Sequence, residues 1–158
     1  YGQQHAIYIG KSAKFSADNI IINGHDFGGH LVKSRAKNNL IINSRIDGLN
    51  SNHSRILDFP CGGNITIRNN ILIQSPNSDN DDLFSIAPEK CGKNTHSIVN
   101  LTGNIIKANK KKSEWANAKY NIIWNLTNNE IQGVRPQEWP TSSPEWKMEW
   151  NLNNNHIY

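Results

Sequence analysis

Apolar and polar residues alternate in several short segments of the chain, and four of these segments align without gaps. The aligned segments are ITIRNNIL (65–72), VNLTGNII (99–106), WNLTNNEI (124–131) and WNLNNNHI (150–157). A period of two residues predicts β-strands, because successive side chains of a strand point to opposite faces. An Asn-rich turn follows each strand, so the pattern predicts a series of short strands joined by turns.

The alignment also reveals a repeat. Its three columns are Ile67, Leu101, Leu126 and Leu152; Asn70, Asn104, Asn129 and Asn155; and Leu72, Ile106, Ile131 and Ile157. Two upstream segments, 20–27 and 40–47, fit more loosely, and the intervals counted from Ile22 are then about 20, 25, 34, 25 and 26 residues. Repeats of this length without a helical pattern are typical of solenoids, in which each coil buries its apolar residues by stacking on the next.

The predicted fold is therefore all-β, a right-handed parallel β-helix of about six coils that are 20–34 residues long. Coils of such a fold lie about 4.8 Å apart, so equivalent residues contact one another along a column. Asn side chains can hydrogen-bond along a column, and Asn tolerates the left-handed backbone that a sharp corner requires. This fold explains why 25 of the 158 residues are asparagine.

The whole chain, residues 1–158, is predicted to form one β-helix domain. Because it begins without Met and ends within a predicted strand, it is expected to be a processed chain or a piece of a longer one. An acidic loop at 75–82 is expected to supply the extra length of the 34-residue coil. The Pro- and Trp-rich segment 134–146 breaks the pattern and is expected to pack over the flank or to line a carbohydrate contact.

Several segments resemble bacterial right-handed parallel β-helix repeat proteins of the pectate-lyase-like superfamily. The segments are HAIYIG (5–10), GHLVKSRAKNN (29–39), ILDFPCGGNITIRNN (56–70) and ILIQSPNSDN (71–80). Members of this superfamily commonly cleave, epimerise or bind acidic polysaccharides, or form phage tailspikes. The resemblance implies an acidic polysaccharide as partner, either for a lyase-like enzyme or for a non-catalytic carbohydrate-binding, adhesin-like or tailspike-like segment.

The charge of the chain adds little to this picture. The net charge of +4 favours an anionic partner through long-range attraction. The basic loop KANKKK (107–112) is not surrounded by a nucleic-acid-binding motif, so no nucleic-acid partner is expected. No apolar run approaches the ~18 residues that a membrane span requires, so no membrane span is expected. Further domains of the same chain or a homo-oligomer remain open as partners.

Charged residues of neighbouring coils are predicted to stack. The second coil is aligned on the third through Asn39 and Asn64. In this register Lys33 lies over Asp58, and Glu89 of the next coil lies near Asp58. The candidate catalytic residues on this basis are His30, Lys33, Arg35, Asp58 and Glu89.

The direction of these side chains follows from alternation along the strand. Leu31, Lys33 and Arg35 are expected to share the outer face, because burying unpaired cations is costly. His30 is expected on the opposite face. His30 also precedes the two cations closely enough to be a candidate for contact with a ligand.

Two interpretations of the charged residues remain open. They form cross-coil salt bridges, the common use of opposite charges in adjacent strands. Alternatively they line a groove in which Lys33 or Arg35 removes the proton alpha to a uronate carboxyl, or pairs with that carboxyl. Hydrolysis by Asp58 and Glu89 as paired carboxylates is the less favoured chemistry.

Residues around this cluster are candidate substrate contacts. Tyr8 can stack on a sugar ring or sit in the wall, and Arg55 falls in register with His30. His5, His25 and His30 lie in the first two coils, where imidazoles can relay protons or bind a metal ion. His25 occupies the position that Asn fills in later coils, which favours a turn. The assigned substrate contacts are His5, Tyr8 and Arg55.

The loop 75–82 carries Asp79, Asp81 and Asp82 within four positions. Such a density of carboxylates can bind Ca²⁺, which several polysaccharide lyases of this fold use to neutralise the substrate carboxylate. The alternative is a solvated acidic loop.

The two cysteines are expected to stack at one column position. Cys61 lies three residues before Asn64, and Cys91 lies three residues before Asn94. A strand spacing of about 4.8 Å falls within the range of Cα distances that a disulfide allows. A disulfide implies an oxidising compartment, and hence a secreted or cell-surface protein, periplasmic or extracellular. The alternative is a pair of small buried thiols.

Overall fold

The computed structural model describes residues 4–24, 26, 28–89, 91, 96–136 and 147–158. Regular structure in these residues is β-strand. The strands are β1 (Ile7–Asp18), β2 (Ile21–Asn23), β3 (Val32–Ile42), β4 (Arg45–Asp47), β5 (Leu57–Phe59), β6 (Asn64–Arg68), β7 (Ile71–Ile73), β8 (Asp82–Ile86), β9 (His96–Thr102), β10 (Ile105–Lys107), β11 (Glu114–Ala118), β12 (Asn121–Thr127), β13 (Glu130–Gln132), β14 (Met148–Asn153) and β15 (His156–Ile157).

The strands form a parallel β-solenoid of about five turns, which confirms the predicted all-β solenoid. One sheet has the order β11-β8-β5-β3-β6-β9-β12-β14, with β1 also paired to β3. The other has the order β15-β13-β10-β7-β4-β2. The long strand β3 pairs with both β5 and β6, because the next coil is interrupted by a turn between these two strands. The first sheet therefore has two walls, and the candidate site lies on the wall formed by β1, β3, β5 and β8.

The apolar columns predicted from the alignment lie in the core. Ile67, Leu101 and Leu126 are at most 1% exposed and stack through consecutive strand pairs. Leu152 continues the column but is 43% exposed, because β14 pairs with β12 on one side and is the last strand in the sheet order of the described residues. The column of Leu72, Ile106 and Ile131 is equally buried in the other sheet.

Asparagine predominates at two consecutive positions of the corner that recurs in each coil. The first adopts a positive φ of 50–58° at Asn19, Asn43, Asn69, Asn128 and Asn154, and Gly103 takes the same place in one coil. This left-handed conformation is costly for most residues but tolerable for Asn. The second position is the predicted column, in which Asn104 and Asn129 are 1% exposed. These two corner positions together hold nine of the 25 asparagines of the chain.

The buried asparagines are linked from coil to coil by their side-chain amides. The Oδ1 atom of Asn104 accepts the backbone N–H of Asn70 at 2.9 Å and its Nδ2 at 3.0 Å. The Oδ1 atom of Asn129 likewise accepts the backbone N–H of Asn104 at 2.9 Å and its Nδ2 at 3.0 Å. The Nδ2 of Asn104 also donates to the carbonyl of Ile67 at 2.9 Å. These bonds satisfy polar groups that the corner would otherwise bury without partners.

Three register predictions were wrong. The cysteine alignment had made Asn64 equivalent to Asn94, but Asn64 pairs with Ile98. Ile22 pairs with Ile46, so the first interval is 24 residues rather than about 20. The apolar run at 20–22 had been aligned with the strand before the corner, whereas it forms β2 after the corner. Asn64 pairs with Asn38 rather than Asn39, because the turn between β5 and β6 adds a residue to the third coil.

The extra length of the 34-residue coil lies mainly at residues 87–95, between β8 and β9. The acidic loop contributes little, since the corresponding connection one coil earlier, residues 48–56, is as long. Acidic composition had marked 75–82 as an insertion, but composition does not report loop length. Of the Pro- and Trp-rich segment, residues 137–146 lie outside the described residues. No helix in the described part of the chain is long and apolar enough to cross a membrane.

Candidate functional site

A buried carboxylate lies at the centre of the charged cluster. The strand pairing places Lys33 beside Asp58, which is the register that the sequence predicted for these two residues. Asp58 is 2% exposed, and its Oδ2 lies 3.2 Å from Lys33 Nζ and 3.1 Å from His30 Nε2. Burial raises the pKa of Asp58, but the hydrogen bond and charge of His30, with Lys33 and the Ser85 hydroxyl, lower it below its ordinary value.

A second carboxylate, Glu89, pairs with Arg35. Arg35 Nε donates to one Glu89 oxygen at 3.1 Å, and Nη2 lies 2.7 and 2.8 Å from the two oxygens. This hydrogen-bonded pair lowers the pKa of Glu89 and raises the pKa of Arg35. Lys33 Nζ, 3.5 Å from Glu89 Oε1, joins the two carboxylates into one network.

Stacked rings border the network on its open side. His5 lies between Tyr8 and His30, with ring centroids 5.6 and 5.2 Å apart respectively. The Nδ1 of His5 accepts the backbone N–H of His30 at 2.9 Å. Arg35 Nη1 donates to the Tyr8 hydroxyl, and its guanidinium carbon lies 5.4 Å from the Tyr8 ring centre. Tyr8 is nevertheless 54% exposed, so much of its side chain is open to solvent.

These residues define a shallow depression of about 550 Å³, which we call the Tyr8 groove. It is lined by Gln4, His5, Tyr8, Lys33 and Arg35. Within the described residues, this lining contains no carboxylate, although Asp58 and Glu89 pair with its two cations. The groove thus combines an exposed aromatic face with positive charge.

Alternation gave the wrong direction for His30 and for Leu31. His30 lies on the same side as Lys33 and contacts Asp58, whereas Leu31 is fully buried in the core. Both residues precede β3, which begins at Val32. The two-residue period of a strand therefore does not govern their directions.

Arg55 was predicted to contact the substrate, but in the structure its guanidinium contacts Asp82 and Asn80. Its Nε and Nη2 donate to Asp82 Oδ2 at 3.1 and 2.7 Å, and Nη2 lies 3.4 Å from Asn80 Oδ1. It is not among the residues that line the Tyr8 groove. His25, the other residue considered with this cluster, lies outside the described residues.

The acidic loop is partly engaged in ion pairs. Asp82 pairs with Arg55, and Asp81 lies 2.6 Å from Lys110 Nζ. Among the residues that the structure describes, no group of three or more His, Cys, Asp or Glu side chains is arranged to hold a metal ion. Binding of Ca²⁺ by Asp79, Asp81 and Asp82 therefore stays a prediction.

Sequence reasoning missed one carboxyl group near this loop. Glu114 lies opposite Asp82 in the pairing of β11 with β8. Burial and the neighbouring Asp82, together with Asp81, raise the pKa of Glu114. The two residues are 32 apart in sequence, which matches none of the coil intervals read from the repeat, so the repeat gave no signal for this pair.

A disulfide joins Cys61 to Cys91, with Cα atoms 5.0 Å apart. It lies beside the segment that carries Glu89. The backbone N–H of Glu89 donates to the carbonyl of Pro60 at 3.0 Å, and that of Cys91 donates to the carbonyl of Glu89 at 3.0 Å. These contacts hold Glu89 next to the preceding coil, where it meets Arg35.

Comparisons with known protein families, with curated proteins and with solved structures found no match. The class of the protein is thus defined by its fold, a parallel β-solenoid. One wall of that solenoid carries an aromatic and cationic groove beside an ionic network centred on the buried Asp58.

The carboxylates of the network make stability depend on pH. Because the pKa values of Asp58 and Glu89 are lowered, their stabilising effect is present above the ordinary carboxyl pKa and is lost as pH falls through the lowered values. We expect the free energy of unfolding to decrease as pH falls below about 4. Glu89→Gln should make this decrease shallower. Urea denaturation at a series of pH values measures it.

The exposed Glu149 on β14 provides the control for this experiment. Glu149→Gln should retain the acid dependence of the wild-type protein. An equally shallow dependence in both variants would contradict a specific role of the Arg35–Glu89 pair.

Proposed function

We propose that this protein is a non-catalytic binding member of the pectate-lyase-like superfamily that recognises an acidic polysaccharide through the Tyr8 groove. The observation that carries the proposal is the exposed Tyr8 ring beside Lys33 and Arg35. A flat aromatic face packs against the apolar face of a sugar ring, and neighbouring cations attract its acidic substituents. The likeness of residues 5–10 and 29–39 to that superfamily supports the same partner.

The two cations have different tasks in this proposal. All three guanidinium nitrogens of Arg35 are engaged, by Glu89 and by the Tyr8 hydroxyl, so Arg35 holds the ring in place. Lys33 has three N–H donors and two carboxylate neighbours, Asp58 and Glu89. Its remaining donor is available to a sugar carboxylate in the groove.

The same contacts favour binding over cleavage. Proton removal alpha to a uronate carboxyl needs a base that is free to accept a proton. Lys33 lies 3.2 and 3.5 Å from two carboxylates, and Arg35 is held in a bidentate pair. Cross-coil ion pairing, one of the two interpretations of the sequence, is thus the better account of the cluster.

Lyase-type β-elimination is the second candidate function. The observation that favours it is the buried pair of His30 and Asp58 beside Lys33, since an imidazole oriented by a carboxylate is a common proton acceptor. In either case the disulfide supports a secreted or cell-surface location, where oxidising conditions preserve it.

Substitution of Tyr8 tests the binding proposal. We expect uronate oligosaccharides to bind the wild-type protein, and Tyr8→Ala to weaken binding about tenfold, because the stacking surface is lost. Tyr8→Phe should weaken it less, since it keeps the ring and removes only the contact with Arg35. Isothermal titration calorimetry with oligomers of defined length measures these affinities.

Tyr158, 72% exposed at the end of the chain, provides the matched control. Tyr158→Ala should bind like the wild-type protein. Equal losses in Tyr8→Ala and Tyr158→Ala, or no binding of any acidic oligosaccharide, would refute the proposal. Incubation with uronate polymers should give no ultraviolet absorbance from unsaturated products, and a rise in absorbance would establish the lyase instead.

A further inference from the structure

A second depression lies on the other side of Arg35 from the Tyr8 groove. It has a volume of about 320 Å³, and we call it the disulfide notch because Cys61 and Cys91 both line it. Its charged lining residues are Lys11, Arg35 and Lys37. The sequence analysis assigned no function to either lysine.

The notch arises where the coils depart from regular strand pairing. The register of β1 on β3 shifts between Ile9 and Ser12, next to Lys11. In the following coil, residues 60–63 form the turn that separates β5 from β6. Gly63 has a φ of +105°, and a Cβ there would lie 2.4 Å from the carbonyl oxygen of Lys37. This close approach of two backbones keeps the notch floor free of a side chain.

The two lysines of the notch are uncommitted. Both are exposed, and the structure shows neither of them in an ion pair with an acid of the described chain. The described lining of the notch also contains no carboxylate. Lys33 and Arg35, by contrast, are each balanced by Asp58 or Glu89. The unbalanced positive charge of this wall therefore lies at the notch.

The notch and the Tyr8 groove are aligned along β3. Arg35 lines both, Lys33 lies on the groove side, and Lys37 lies on the notch side. Four residues of extended strand cover about 13 Å. A linear ligand that reaches both depressions therefore runs along β1 and β3 toward the turn between β5 and β6, rather than from coil to coil.

We infer that the disulfide notch is a second binding subsite, which takes an acidic group of the same polysaccharide chain whose sugar ring stacks on Tyr8. This inference rests on the proposed function and names its ligand more closely, as an extended chain that spans both depressions. Lysine acts as a point charge without the planar fork of arginine, so Lys11 and Lys37 accept a carboxylate or a sulfate group. The carboxylated and sulfated chains share this chemistry.

The test is a double substitution with a charge-matched control. Lys11→Gln/Lys37→Gln removes two positive charges from the notch, and Lys14→Gln/Lys119→Gln removes two from exposed positions that line neither depression. Uronate oligomers of increasing length, and sulfated oligosaccharides of matched lengths, are titrated into each protein by calorimetry at one salt concentration.

We expect the affinity of the wild-type protein to rise once the oligomer spans both depressions. The notch variant should bind long oligomers about tenfold more weakly and short ones unchanged, and the control should match the wild type for both. Tyr8→Ala should weaken short and long oligomers alike. Whichever of the carboxylated and sulfated series shows the larger length dependence identifies the acidic group.

Three results would overturn the inference, and they separate it from the proposed function. If short oligomers bind and longer ones bind no more tightly, the notch is not a subsite and the Tyr8 groove alone binds the ligand. Equal losses of affinity in the notch variant and its control would show that the effect comes from overall charge rather than from the notch. No binding of any oligomer to the wild-type protein would refute both the notch and the proposed function.

Discussion

Replacement of Asn104 by alanine is expected to lower the free energy of unfolding by about 3 kcal/mol. The side chain is 1% exposed and makes four hydrogen bonds, two as acceptor from Asn70 and two as donor, to Ile67 and Asn129. Alanine leaves the backbone N–H of Asn70 without this acceptor, and the Ile67 carbonyl without this donor. Each buried polar group without a partner costs about 1–3 kcal/mol.

Asn125 is the matched control for Asn104. It belongs to a second column of asparagines, on the outer side of the strands. Its Nδ2 donates to Asn100 Oδ1 at 2.8 Å, and its Oδ1 accepts from Asn151 Nδ2 at 2.9 Å. Water can replace these partly exposed partners, so Asn125→Ala should cost less than about 1 kcal/mol. Urea denaturation followed by tryptophan fluorescence compares the two variants. Equal losses would show that burial does not set the value of an asparagine in this fold.

Removal of the disulfide is expected to have an effect of similar size. The bond joins residues 30 apart in sequence. Closing a loop of that length reduces the entropy of the unfolded chain, which corresponds to roughly 3–4 kcal/mol in the chain-entropy description. The Cys61→Ala/Cys91→Ala variant should therefore unfold at a correspondingly lower urea concentration.

Reduction of the wild-type protein provides the control for this prediction. A dithiol reductant should lower the stability of the wild-type protein to that of the double variant and leave the variant itself unchanged. If the reductant destabilises both proteins equally, it acts through something other than the bond between Cys61 and Cys91.

The fold could be predicted because equivalent residues recur in the sequence once in every coil. Leu101 and Leu126 recur at the interval of one coil, and the asparagines that follow them occupy the corners. Because equivalent residues of adjacent coils are neighbours, the recurrence of a residue type in the sequence predicts a long-range contact. The stacking of Lys33 and Asp58 followed from the same regularity.

The site was less predictable because its residues lie where the repeat is irregular. His30 precedes its strand, so alternation placed it on the wrong face. Lys11 lies at a shift of strand register, and Lys37 borders the turn that follows β5 in the next coil. Glu89 reaches Arg35 from a connection whose length varies between coils. Side-chain directions in such places depend on local backbone geometry that a two-residue period does not encode.

The asparagine ladder tolerates coils of different perimeter. The amide of Asn104 meets Asn70 across a 34-residue coil at 2.9 Å, and Asn129 meets Asn104 across a 25-residue coil at the same distance. The additional residues are accommodated between β8 and β9, and among them are Glu89 and Cys91. Insertions at such connections can thus vary during evolution and alter the chemistry displayed on one wall, while the frame that carries them stays constant.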